Sequence, residues 1–180
     1  FGEKILWNSN DKLTGWISAY YLDDKDLPYN VEDPERYRIR LNNEWEIAPR
    51  DRILAQAIYV SDDRFMEDFF EEEYDEMNQP DNFLSWTHIG DAYSGGVLAR
   101  MRLNDFYTQV ERLPEAWYNL NSTELFQSGI YFENNSTMSF LNKQFDERIW
   151  LGKEDPSYDV FRVDSDFVLT RPMKLMGFLS

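Results

Sequence analysis

The chain has 180 residues, 18 basic against 34 acidic, for a formal charge of -16. That balance leaves no basic stripe to follow a phosphate backbone and excludes nucleic acid as a partner. With no cysteine it has no thiol or disulfide chemistry, and no apolar run approaches the ~20 residues of a membrane helix.

Aromatic residues make up 17% of the chain, including six Trp and eleven Tyr, as expected where rings line two membrane interfaces. The mean hydropathy of -0.64 fits a soluble protein, but it also fits a β-barrel, whose alternate residues and loops are polar. No secretory leader pattern is visible, and the first residue is Phe1, which reads as a fragment or processed product. No low-complexity linker divides residues 1–180, so a single segment of one domain is expected.

In chain order, period-two patterns and turn residues predict strands at 12–22, 36–47, 52–61, 82–90, 95–105, 115–122, 127–140 and 159–170, with a truncated one from 174. The clearest is 36–47. Tyr37, Ile39, Leu41, Trp45 and Ile47 fall on one face, interrupted by Asn43, while Arg38, Arg40, Asn42, Glu44 and Glu46 fall on the other. Its eleven-residue alternation from Tyr37 to Ile47 exceeds the ~5–6 residues of a typical soluble strand. Tyr37 and Trp45 would stand roughly 20 Å apart in height on a strand tilted near 40°, close to the ~25 Å between aromatic girdles of an outer-membrane barrel.

Further along, Val97, Ala99, Met101 and Leu103 oppose Arg100 and Arg102. In the last clear strand, Phe161, Val163, Phe167 and Leu169 oppose Arg162, Asp164 and Asp166. These patterns predict a lipid-facing set (Tyr37, Ile39, Leu41, Trp45, Val97, Met101, Val163, Phe167) and a lumen-facing set (Arg38, Arg40, Glu44, Glu46, Arg100, Arg102, Arg162, Asp164, Asp166). The expected fold class is all-β: an antiparallel up-and-down meander of about nine strands, a curled open section of a transmembrane β-barrel.

Between strands, long gaps (Asp23–Glu35, Asp62–Asp81, Phe106–Pro114, Leu141–Tyr158) alternate with short ones (48–51, 91–94, 123–126, 171–173), as in bacterial outer-membrane barrels. In the most acidic gap, Phe65, Met66, Phe69, Phe70, Tyr74 and Met77 recur at helical spacing. A short amphipathic helix over the rim is expected there, capped by Ser61 or Asp62 and closed by Pro80.

Patterns for catalysis are thin. The single histidine, His88, has no Cys or helical His partner, which predicts a hydrogen-bonded strand residue in a polar interior and no metal site. The runs at Asp23–Asp26, Asp62–Asp63 and Glu71–Glu73 carry oxygens suited to calcium but lack EF-hand spacing, and a solvated charge run is the expected reading. Gly95-Gly96 lacks phosphate-loop context and suits a bend or bulge. Asn121, Asn134 and Asn135 open glycosylation-type triplets in an Asn-rich stretch where such triplets arise by chance. No catalytic residue and no cofactor is expected.

Three segments, Tyr59–Phe70, Asn104–Glu115 and Phe161–Pro172, together resemble the lipopolysaccharide-assembly outer-membrane protein (LptD, organic solvent tolerance) family. The first is similar to that family's strand, Ser-Asp and aromatic-acidic loop, the second to its strand ending in Arg-Leu-Pro-Glu. The resemblance implies a middle section of a large barrel in the outer membrane of a Gram-negative bacterium, with lipopolysaccharide and a plug lipoprotein as partners and no enzymatic activity. Neither the family's jellyroll nor its seam strands are recognisable, so no gate residue is implied. Contact with lipopolysaccharide phosphates is expected through Arg100 or Arg102, because the acidic loops repel phosphate unless divalent cations bridge it. Two alternatives share parts of the pattern. One is a general outer-membrane channel or receptor; the other is a soluble secreted β-sandwich that binds glycans, or acts as a hydrolase, through Trp86 or Trp117.

Overall fold

The structure, a computed structural model, describes residues 1–10, 12–29, 31–76, 80–149 and 156–173. Its strands are β1 (Gly2–Ser9), β2 (Leu13–Asp23), β3 (Glu35–Ala48), β4 (Asp51–Val60), β5 (Phe83–Ile89), β6 (Tyr93–Arg100), β7 (Gln109–Glu124), β8 (Tyr131–Gln144) and β9 (Tyr158–Thr170). They form one sheet in sequence order, every neighbouring pair antiparallel, with β1 and β9 unpaired to each other. The fold is therefore an all-β up-and-down meander, open at both edges.

Several boundaries differ from those expected. β1 escaped the sequence reading because Ile5 and Leu6 are adjacent and break the alternation. The strand expected from 174, like Met77, lies outside the described residues. β6 ends at Arg100, so Met101 and Arg102 belong to the connection that follows it. β7 begins earlier than expected because it runs through Pro114. The ladder shifts register between Arg112 and Glu115 on both sides, and this bulge accommodates a residue with no amide to donate.

Register carries the faces from strand to strand. Arg38, Arg40, Glu44, Glu46, Arg100, Arg162, Asp164 and Asp166 share one face, here the polar face. Tyr37, Ile39, Leu41, Trp45, Val97, Val163 and Phe167 share the other, the apolar face. A row of register partners runs from Leu6 through Asn42, Phe83 and Arg112 to Val160. It meets β1 close to the strand's turn-side end, Ser9, but meets β9 far from Thr170. With about 3.3 Å per residue and about 4.8 Å between strands, this drift inclines the strands by about 30° to the line of turns, near the 35–45° of closed barrels.

The buried core is small and sits on the polar face. α1 (Phe65–Phe69) and α2 (Glu71–Glu76) fold back from the β4–β5 connection, bringing Phe65 and Met66 onto Ile58 and Val60 of β4. Tyr20, Leu22, Phe69, Phe70, Tyr74, Phe106 and Tyr107 pack around them. The expected single helix is thus two short ones, and neither Ser61 nor Asp62 caps it. The cap position of α1 is Arg64, which makes no side-chain cap bond; Asp62 lies two residues earlier, where its carboxylate accepts from the Arg64 amide at 3.1 Å and from Arg36.

No second layer covers the apolar face among the described residues: Ile39, Val163 and Phe167 remain 43%, 60% and 67% exposed. The one polar break in β3, Asn43, accepts a hydrogen bond from Trp7 Nε1 at 3.0 Å. Gly15 makes that contact possible, since a Cβ there would lie 2.7 Å from the Trp7 ring and 2.6 Å from the Asn42 carbonyl oxygen. Gly15→Ala is expected to displace Trp7, orphan the Asn43 amide and cost about 1–3 kcal/mol, measured as the urea midpoint of the folded protein. Gly95-Gly96 forms no bulge; Gly96 instead makes room on the polar face for the Trp117 ring.

Candidate functional site

The polar face is organised around three arginines that alternate along β3. Arg36, only 1% exposed, donates Nε and Nη2 to the two Asp62 oxygens at 3.0 and 2.9 Å. It also reaches Asp68 at 2.8 Å and Asp24 at 3.0 Å, and its guanidinium lies 4.7 Å from the Phe69 ring centroid. Arg38 and Arg40 both bind Glu73, at 3.1 and 2.5 Å, and Arg38 stacks 3.4 Å from the Phe70 ring centroid. The arginines of the strand therefore hold the acidic loop against the sheet, through forked hydrogen bonds and ring faces that lysine could not reproduce.

Where β4 outruns β5, loop side chains complete its ladder. Asn82 Oδ1 accepts from the Ile58 amide at 2.6 Å, and Asn104 donates to the Val60 carbonyl at 2.8 Å. Arg100 pairs with Asp81 at 2.9 Å. Arg102 is not on the strand face: it is pinned in the loops by the carbonyls of Asp105, Tyr107 and Phe145 and by Glu147. Neither arginine is a free phosphate ligand in this arrangement. Glu44 pairs with Arg52 at 3.2 Å.

The long loops are also tied to one another. Arg148 binds Asp146 at 2.6 Å, Asp63, and the Phe106 carbonyl. The Arg148 guanidinium holds the Asp146 carboxyl below the usual carboxylate range, and burial pushes the Tyr107 phenol up to about 12. A depressed folded value means that the Asp146 contribution is present above the unfolded value near 3.8 and disappears as pH falls below it. The protection factors of the amides in residues 101–108, that is, exchange relative to the intrinsic rate at each pH, are therefore expected to be constant from pH 7 to 5 and to fall below about pH 4, with Asp146→Asn poorly protected at both ends.

Towards β9 the polar face is uncovered. A recess of about 590 Å³ is lined by Arg112, Glu115, Thr137, Ser139, Arg162, Asp164 and Asp166, among others. Its cations are matched locally: Arg112 binds Glu115 at 2.9 Å and Arg162 binds Asp164 at 2.5 Å. The carboxylates of Asp24, Asp62, Asp63, Asp68 and Glu73 are held by arginines instead of standing free for calcium. Among the described residues no group of three or more His, Asp or Glu is placed to hold a metal ion.

On the apolar face, aromatic side chains gather at both ends of the strands. Near the short turns lie Trp7, Trp45, Trp86, Tyr93 and Tyr118, with Tyr93 and Tyr118 stacked at 6.0 Å. Near the long loops lie Tyr37 and Tyr59, stacked at 6.1 Å, and Phe140 and Phe161, 4.7 Å apart. His88 belongs to the apolar face, not to a polar interior. Its Nδ1 lies 2.9 Å from Asp51, which also accepts from Trp86 Nε1 at 3.1 Å, and its ring stacks on Tyr93. A polar group within the apolar face, Asn134, Ser136 and Ser165, closes on itself through mutual hydrogen bonds of 2.7–3.2 Å.

Sequence reasoning missed Arg36, Asn82, Asn104 and Arg148. Arg36 could have been found, because it continues the Arg38–Arg40 alternation; the partners of the other three are set by loop conformation. No protein-family model matches the chain, and no curated protein matches it.

Proposed function

We propose that this chain is part of the wall of an outer-membrane β-barrel that assembles lipopolysaccharide into the outer leaflet, acting by translocation and not by catalysis. The observation that carries the membrane reading is the apolar face. It spans nine strands, is bracketed by aromatic rings at both ends and is covered by no other part of the described chain, so hydrocarbon is its natural solvent. Uncovered apolar area of this extent favours a barrel over a sandwich, which needs a second sheet. Between its two open edges the ladder is continuous from β1 to β9, and the Asn43 and Asn134 groups find partners within the sheet, as lipid-exposed polar groups must.

In this reading the long loops face the exterior and the short turns the periplasm. The uncovered recess over β7–β9 is where a plug lipoprotein would sit. The choice of lipopolysaccharide over a general solute rests on the resemblance of Tyr59–Phe70, Asn104–Glu115 and Phe161–Pro172 to the lipopolysaccharide-assembly family. Depleting the full-length protein in its host is expected to strip lipopolysaccharide from the cell surface. Undiminished surface lipopolysaccharide with impaired solute uptake would replace this reading with the general channel.

A further inference from the structure

At the long-loop end of β7–β9 the apolar face changes character within one step of the ladder. Glu111, Asn142 and Asp159 are register partners in one row across the three strands. Phe140 and Phe161 are partners in the next same-face row, about 7 Å towards the strand centres, and Leu113 sits beside them in the β7 bulge. Together these six frame a recess of about 490 Å³, within the size range of small-ligand sites. Its floor is apolar and open, with Leu113, Phe140 and Phe161 at 41%, 50% and 55% exposure.

The rim is acidic. Asp159 accepts from the Asn142 amide at 2.7 Å, and Glu111 accepts from the backbone amide of Arg102 at 2.9 Å. These neutral donors leave both charges uncompensated. Among the described residues neither carboxylate has a cation within salt-bridge distance, whereas Asp24, Asp62, Asp68, Glu73 and Glu115 on the polar face and in the loops are each matched by an arginine. An anionic rim directly above an aromatic floor selects an amphiphile whose alkyl chain lies along the rings and whose head carries a positive charge with hydrogen-bond donors.

We propose that this recess binds a lipid with a primary ammonium head, its acyl chain on Leu113, Phe140 and Phe161 and its ammonium between Glu111 and Asp159. The site rests on the membrane reading of the apolar face but not on lipopolysaccharide as cargo. The bulge at Leu113–Pro114 shapes it, because the register shift there sets Leu113 beside the Phe140–Phe161 row.

The test uses the full-length protein in neutral detergent and lysolipids of one chain length with ethanolamine or glycerol heads, retained lipid being read by native mass spectrometry. The ethanolamine lipid is expected to be retained about tenfold more than the glycerol lipid. Glu111→Gln with Asp159→Asn should bring the ethanolamine lipid down to the level of the glycerol lipid, whereas Phe161→Ala should weaken both lipids alike. Equal retention of the two heads by the unaltered protein overturns the proposal, and this comparison needs no variant to fold. A preference that survives the double substitution also overturns it. Loss of surface lipopolysaccharide on depletion is a separate readout, so failure of the lipid site and failure of the transport reading are distinguishable.

Discussion

Replacing Arg36 with alanine is expected to cost about 3–5 kcal/mol, the range for removing one partner from a buried ion-pair network. The guanidinium is 1% exposed and is the shared counterion of Asp24, Asp62 and Asp68, whose side chains are themselves 14–21% exposed. Without it, three carboxylates would converge on an apolar cavity beside Phe65 and Phe69. Arg36→Lys keeps the charge, but a single ammonium cannot form two forked bonds to Asp62 while reaching Asp68 and Asp24, so an intermediate loss is expected. The readouts are the urea midpoint and the protease sensitivity of residues 61–76. A change below about 1 kcal/mol for the alanine variant would mean that Arg36 does not anchor the loop.

The second large effect tests the solvent of the apolar face. Leu41 lies near the middle of β3, between register partners Ile17 and Ala57, and Asn42 is its neighbour on the opposite face. Leu41→Arg is expected to destabilise the full-length protein in a bilayer by about 2–4 kcal/mol, the cost of a cation at the membrane midplane of a barrel. Asn42→Arg places the same charge on the polar face, beside Glu44, and should cost little. The comparison is made by urea unfolding in lipid vesicles, with the two variants side by side because they share the same added residue and the same strand. Equal effects would remove the membrane reading, since water on both faces treats the two arginines alike.

What was legible in the chain was the periodicity. Side-chain direction in a strand repeats every two residues, so the division of β3, β6 and β9 into polar and apolar sets followed from the order of residues, before any partner was known. Met101 and Arg102 show where this inference stops. They continue the alternation of β6 in sequence, but the ladder ends at Arg100 and the chain turns into the loop, where Arg102 serves four loop groups. β1 shows the reverse: its alternation is broken at Ile5 and Leu6, and it becomes a strand because β2 offers it an edge.

The sequence by itself determined an antiparallel meander with one apolar and one charged face and alternating short and long connections, because those features are local and repeat with the backbone. Only the tertiary structure decided that the acidic loop folds inward, that Arg36, together with Arg38 and Arg40, anchors it, that Asn82 and Asn104 complete the edge of β4, and that His88 stands on the apolar face beside Asp51. The physical reason is that charge pairing and side-chain capping join residues tens of positions apart, and no local pattern records which partner a carboxylate will find.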